Sequence, residues 1–193
     1  MRLDPAVRRE QLIEATFRCL CRSGTEAGIR DIAAEAGLSI GMVRHHFQGK
    51  DELLAATYRA LSDRLQAEAE RALAAAGPDP QARLWAFVTA GLHPPILERD
   101  YIRVRFLLWG LSHSNEAVRR AHDAIYDRFR HHLETLIGAA AAARGVQVDS
   151  RGPALAVMAL LKGVWLEWSL SPETVEPERL VEQVLPLLTR ALR

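Results

Sequence analysis

Residues 29–54 read IRDIAAEAGLSIGMVRHHFQGKDELL, and the order of apolar and turn-forming residues in that stretch decides the fold. Ile29, Ile32, Ala33 and Ala36 recur at helical spacing. Gly37 stops that helix, because glycine accepts the left-handed conformation of a C-terminal cap. Leu38 follows as a buried plug, and Ser39 offers an N-cap hydroxyl to a second helix, Ile40 to Phe47. Val43 and Phe47 lie four apart and form its inner face, which leaves Met42, Arg44, His45 and His46 pointing elsewhere. Two short helices joined by such a turn make a helix-turn-helix, which lays its second helix in the major groove of DNA.

The same stretch resembles a known family. Asp31-Ile32-Ala33, Ala36-Gly37-Leu38-Ser39, Gly41, His46-Phe47, Lys50 and Leu53-Leu54 are similar to the DNA-binding signature of the TetR family of bacterial repressors. The resemblance implies that Ser39, His45, His46 and Lys50 hold the phosphate backbone, with Arg30 a weaker candidate. Ile40 and Gly41 belong to the same recognition surface: Gly41 permits close backbone approach, while Met42 and Arg44 are the side chains best placed for base edges. The family usually caps the first helix of the motif with Thr or Ser. Gly28 stands there in this chain and brings no side-chain oxygen, which puts the phosphate contact often made at that position in doubt.

Composition bounds the rest. At 193 residues the chain holds one or two domains, and 49% apolar residues suffice for a core. The net charge of +1 excludes a polyelectrolyte binder, so a nucleic-acid surface must be local. The first fifty residues carry eight Arg or Lys against six Asp or Glu, a mild basic bias. Cys19 and Cys21 lie two apart in a helix and point to nearly opposite sides, so they neither bridge nor share a metal. A reducing cytoplasm fits this usage, and the charged N-terminus has no apolar stretch of the signal-peptide kind. Residues 154–170 are nearly apolar but contain Lys162 and Glu167, which predicts a buried helix rather than a membrane span.

Outward from the motif, Asp4-Pro5 opens a first helix striped by Leu12, Ile13, Thr16, Phe17 and Leu20 and ended by Ser23-Gly24. Arg8 and Arg9 lie off that stripe, as a DNA-backbone arm or simply a solvated face. Asp51-Glu52 opens a long helix to about Ala76 that ties the head to the body, and Gly77-Pro78-Asp79-Pro80 breaks the chain. Further helices are expected over 81–93, 101–113, 116–144, 152–170 and 177–192, with a bend at Pro186. No run alternates with period two for long. The expectation is therefore an all-α, TetR-like chain of about nine helices. Its boundaries are a three-helix DNA-binding head over 1–49 and a ligand-binding and dimerisation body over 50–193.

The 152–170 helix is apolar almost all round and needs partners on all sides. It is expected to face the core on one side and a second subunit on the other, with the last helix, through Leu161, Val164, Val184 and Leu188. The resemblance implies the same homodimer. Two recognition helices about 34–36 Å apart would then read the half-sites of a palindrome.

Arg105-Phe106-Leu107-Leu108-Trp109, Ser112-His113, Gly163-Val164-Trp165-Leu166 and Leu170-Ser171 further resemble the choline-responsive BetI branch. That resemblance implies a small organic effector, most plausibly choline or a related quaternary amine, which ring faces attract. Tyr101, Phe106, Trp109, Trp165 and Trp168 are the candidate wall, and Glu167 the candidate counter-charge. For each tryptophan taken alone, core packing is the commoner role, and Glu167 could equally pair with a base at the dimer edge. No nucleophile–base pair, phosphate loop or metal spacing is visible, so neither an enzyme nor a cofactor is expected: His45-His46 and His131-His132 are adjacent pairs, not i, i+4. The remaining alternative is a DNA-binding regulator with no small-molecule ligand, controlled by its abundance or by a protein partner.

Overall fold

A computed structural model describes residues 4–188. Among them the chain forms nine α-helices and no strand, as the all-α reading requires. The helices are α1 (Pro5–Ser23), α2 (Ile29–Glu35), α3 (Ile40–Phe47), α4 (Lys50–Ala75), α5 (Pro80–Thr89), α6 (Arg99–Leu111), α7 (Glu116–Ala142), α8 (Arg151–Leu170) and α9 (Pro177–Leu188), with a short 3-10 turn, Gly24–Glu26, after α1. They group into two compact units. Among the described residues the first comprises 4–63 and 103–125, the second 64–102 and 126–188.

The first unit is built around α1, α2 and α3. Leu12, Ala15, Cys19, Ile32, Ala33, Val43, Phe47 and Leu53 form its buried core. Helix ends are specified locally. The Asp4 carboxylate accepts from the Ala6 N–H at 2.9 Å, with Pro5 at the tolerated first position. After α2 the Leu38 N–H reaches the Ala33 carbonyl and the Gly37 N–H the Ala34 carbonyl, the paired bonds of a Schellman stop, with Gly37 at φ +66°. Arg18 and Arg22 of α1 both bond Glu35 of α2, at 2.6 and 2.5 Å.

In the second unit α9 packs on α8. Helix α5 stops at Thr89, four residues short of the break expected at His93. The reason is Gly91. Its carbonyl accepts the Trp165 indole N–H at 2.9 Å, and a Cβ there would lie 2.8 Å from the indole ring. The chain leaves the helix to seat that glycine beneath the tryptophan. Phe87 packs on Phe129 and His132, with ring centroids 4.9 and 4.6 Å away. Helix α9 continues through Pro186 to Leu188. The Leu188 side chain and Leu192 lie outside the described residues. Helix α8 is long and apolar enough to cross a membrane by length and composition, yet Ala154, Val157, Met158, Leu161, Val164 and Trp165 are buried within the protein.

Candidate nucleic-acid interface and aromatic body

Helix α3 is short, and both of its ends are tied. At the start the Ser39 hydroxyl accepts from the Met42 N–H at 3.3 Å, which still leaves its proton to donate. At the other end Gln48 adopts φ +59° and its N–H returns to the Arg44 carbonyl. Val43 and Phe47 are the buried side chains of α3, and Ile40 packs half-buried against the same core. Gly41, Arg44 and His45 are exposed, Met42 is half-exposed, and Arg30 stands exposed on α2. The structure therefore brings Gly41, Met42, Arg44 and His45 onto the accessible part of one helix.

Two of the expected phosphate contacts have partners or surroundings inside the protein. The Lys50 ammonium donates to the Thr25 carbonyl at 3.1 Å, using one of its three donors. His46 is half-buried, and its Nε2 is buried with no hydrogen-bond partner among the described residues. Burial pushes its imidazole below the ordinary value, and the charges of His45, Arg8 and Arg9 push the same way. At Gly28 the missing cap is half compensated. The Asp31 carboxylate accepts from the Gly28 N–H at 2.8 Å, but no side chain returns the bond.

Helix, glycine turn and a second helix tied at both ends with an exposed face agree with matches to the family models. Residues 12–57 match the N-terminal model of the bacterial regulatory proteins of the tetR family. Residues 80–193, more than half of the chain, match the C-terminal model of BetI-type transcriptional repressors. The chain belongs to the TetR family. It is a BetI-type transcriptional regulator with a helix-turn-helix DNA-binding domain. The HTH-type transcriptional regulator BetI of Stenotrophomonas maltophilia is 36% identical over 169 residues, covering 85% of this chain and 82% of the relative. The crystal structure of a transcriptional regulator from Pseudomonas aeruginosa PAO1 is 36% identical, with a TM-score of 0.89, covering 99% of this chain and 92% of that one. A regulator from Saccharomonospora viridis, solved in complex with choline, shares the fold at 24% identity and a TM-score of 0.75, covering 96% of each chain.

The aromatic candidates of this TetR-family chain are distributed over both units. In the first unit Phe106 meets Trp109 edge-on at 5.0 Å. The Trp109 N–H donates to the Tyr58 hydroxyl at 2.6 Å, and that hydroxyl lies 2.9 Å from Nδ1 of His122. Indole N–H can only donate, so the hydroxyl accepts it, and the direction of the second bond follows the His122 tautomer. Arg105, buried, places its guanidinium 5.6 Å from the Trp109 ring and 5.9 Å from the Tyr58 ring. A cation of the protein itself thus lies beside the Trp109 ring. In the second unit Tyr101 and Trp165 are buried, Trp168 is half-buried and Glu167 is exposed.

The candidate dimer residues divide by burial. Leu161 and Val164 are buried inside the protomer, and Val184 is half-buried. The accessible apolar row of α8 lies elsewhere: Leu155, Ala159, Gly163, Leu166 and Leu170, spaced by three or four residues, are all exposed. On α9 Leu180 and Leu187 are exposed likewise. The three-and-four spacing was visible in the sequence, but an all-round apolar helix does not say which of its rows the protomer already covers.

Proposed function

We propose that two copies of this chain grip a palindromic operator as a repressor, and that a small organic effector bound by the body releases it. The observation that carries the reading is α3, whose Gly41, Met42, Arg44 and His45 are accessible while both ends are fixed. Arg44 suits bidentate bonding to a guanine, worth about 1–3 kcal/mol of discrimination. Ser39, His45, Lys50 and Arg30 would hold phosphates, and His46 would orient its neighbours from within. The second copy docks on the exposed row of α8 with Leu180, Val184 and Leu187 of α9. Leu161 and Val164 support that surface from below.

Choline, or a related quaternary amine, is the effector that the family branch and the choline-bound Saccharomonospora viridis neighbour support. Trp168 and Glu167 of the second unit are the groups proposed for it; the indole N–H groups of Trp109 and Trp165 have bonds within the protein. The effector acts only by its differential affinity for the DNA-competent and DNA-incompetent states. A coupling of about 1–3 kcal/mol changes DNA affinity roughly 5- to 150-fold, and operator DNA weakens effector binding by the same factor. Titration calorimetry of choline and betaine aldehyde with and without operator tests this. Heat at millimolar ligand, reduced by DNA, is expected; no heat ends the choline reading.

A second reading, regulation with no small-molecule ligand, is favoured by the burial of Trp165 and by the guanidinium of Arg105 beside the Trp109 ring. It predicts no thermal shift with any small cation.

A further inference from the structure

We propose that Arg9 of α1 is a positioning residue that fixes the orientation of α3 for base reading, rather than a phosphate contact. Its guanidinium lies 4.2 Å from the centroid of the Phe47 ring, and its NH1 donates to the His46 carbonyl at 3.1 Å. The last carbonyls of a helix have no partner within it. Here the Gln48 N–H takes that of Arg44 and Arg9 takes that of His46. A cation at this end also complements the helix dipole.

The packed side chains of α3, half-buried Ile40 and buried Val43 and Phe47, fall in one narrow strip, so control of rotation about that strip falls to the tied ends and to contacts outside it. Arg9 supplies a fixed point off that strip through its bond to the His46 carbonyl, next to Arg44 and His45, and also covers the Phe47 ring. The platform behind it is firm, since α1 and α2 share the buried core of Leu12, Ala15, Cys19, Ile32 and Ala33. Base-reading groups must be held within about 0.5 Å and 10–20° of their working geometry, which is what a clasp at this position provides.

This inference rests on α3 being the base-reading helix, so the test separates the two. Full-length wild type, Arg9→Ala and Arg9→Lys are titrated on an operator selected by the wild type and on a scrambled duplex, across salt from roughly 50 to 200 mM. Arg9→Lys keeps the charge, loses the planar face, and serves if Arg9→Ala does not fold. The expected result is a fall of about tenfold in the operator-to-scrambled ratio for both variants, with wild-type salt slope and scrambled affinity. A slope reduced by about one in Arg9→Ala, kept in Arg9→Lys and with the ratio retained, identifies a phosphate contact and overturns the proposal. Equal weakening on both duplexes, which a merely structural role would give, or no change at all, overturns it too. A wild type that enriches no sequence overturns the reading of α3 itself.

Discussion

Helix α3 and the segments that carry Trp109 and Trp165 are both dense in capable side chains, and the protein uses them in opposite ways. On α3 the bonds to the rest of the unit are made by backbone groups and by two apolar side chains, so Arg44 and His45 stay accessible. At Trp109 and Trp165 the polar atoms themselves are taken, by Tyr58 and by the Gly91 carbonyl. A residue type offers chemistry; what buries or bonds its side chain decides how much of that chemistry is left for a partner. The accessible row of α8 is closer to α3 in this respect, since Leu155, Leu166 and Leu170 have surface left to bury.

The sharpest break in the comparison is a charge placed on either side of α8. Val164→Asp buries an unpaired carboxylate and should cost about 4 kcal/mol or more, enough to unfold the unit. Leu166→Glu should leave a folded protomer that sediments as a monomer at micromolar concentration and loses tight operator binding. A folded dimer from Leu166→Glu would move the interface elsewhere.

Gly91→Ala comes next. The added methyl meets the Trp165 indole at 2.8 Å and Leu65 at 3.1 Å, so overpacking should destabilise the chain by about 1–3 kcal/mol in chemical denaturation. Unchanged stability would mean that Trp165 is free to move, and would return it to the list of ligand groups.

On the DNA side, Arg44→Ala should relax sequence choice at one base pair per half-site, by about 1–3 kcal/mol. Lys50→Ala should weaken all sequences alike and lower the salt slope by about one. Competition binding across a panel of operator variants distinguishes them, and equal weakening of every sequence by Arg44→Ala would remove it as a base reader.

Acid gives the smallest effects. Bonds from Arg18 and then Arg22 hold the Glu35 carboxyl below its ordinary value. The fold prefers the charged form, so this contribution is present above the usual carboxylate range of about 4.3 and lost as pH falls through the lowered native value. Burial lowers His132 and His46. The fold prefers them neutral, so stability declines once pH drops below about 6.5. Thermal unfolding across pH should show both limbs. His132→Gln should soften the upper one, and Glu35→Gln the lower.

How far the sequence could be read follows the same division. The α2–Gly37–α3 motif is legible because its determinants are local: caps, a left-handed glycine and 3.6-residue spacing. The start of α7 is legible for that reason too, with the Asn115 side chain accepting from the Val118 N–H at 3.0 Å. What could not be read is tertiary. Nothing near Thr89 in the sequence announces that Gly91 must sit under a tryptophan 74 positions away. The inward turn of Val164, the guanidinium of Arg105 over Trp109, and the grip of Arg9 on Phe47 are equally non-local.

The account rests on paired α3 helices reading DNA, and selection of bound duplexes from a random pool by the full-length protein tests that most directly. The predicted result is an inverted repeat whose half-site centres lie about one helical turn apart, 34–36 Å, with enrichment lost in Leu166→Glu. Enrichment of a single unrepeated site by the wild type, or of no sequence at all, would contradict it.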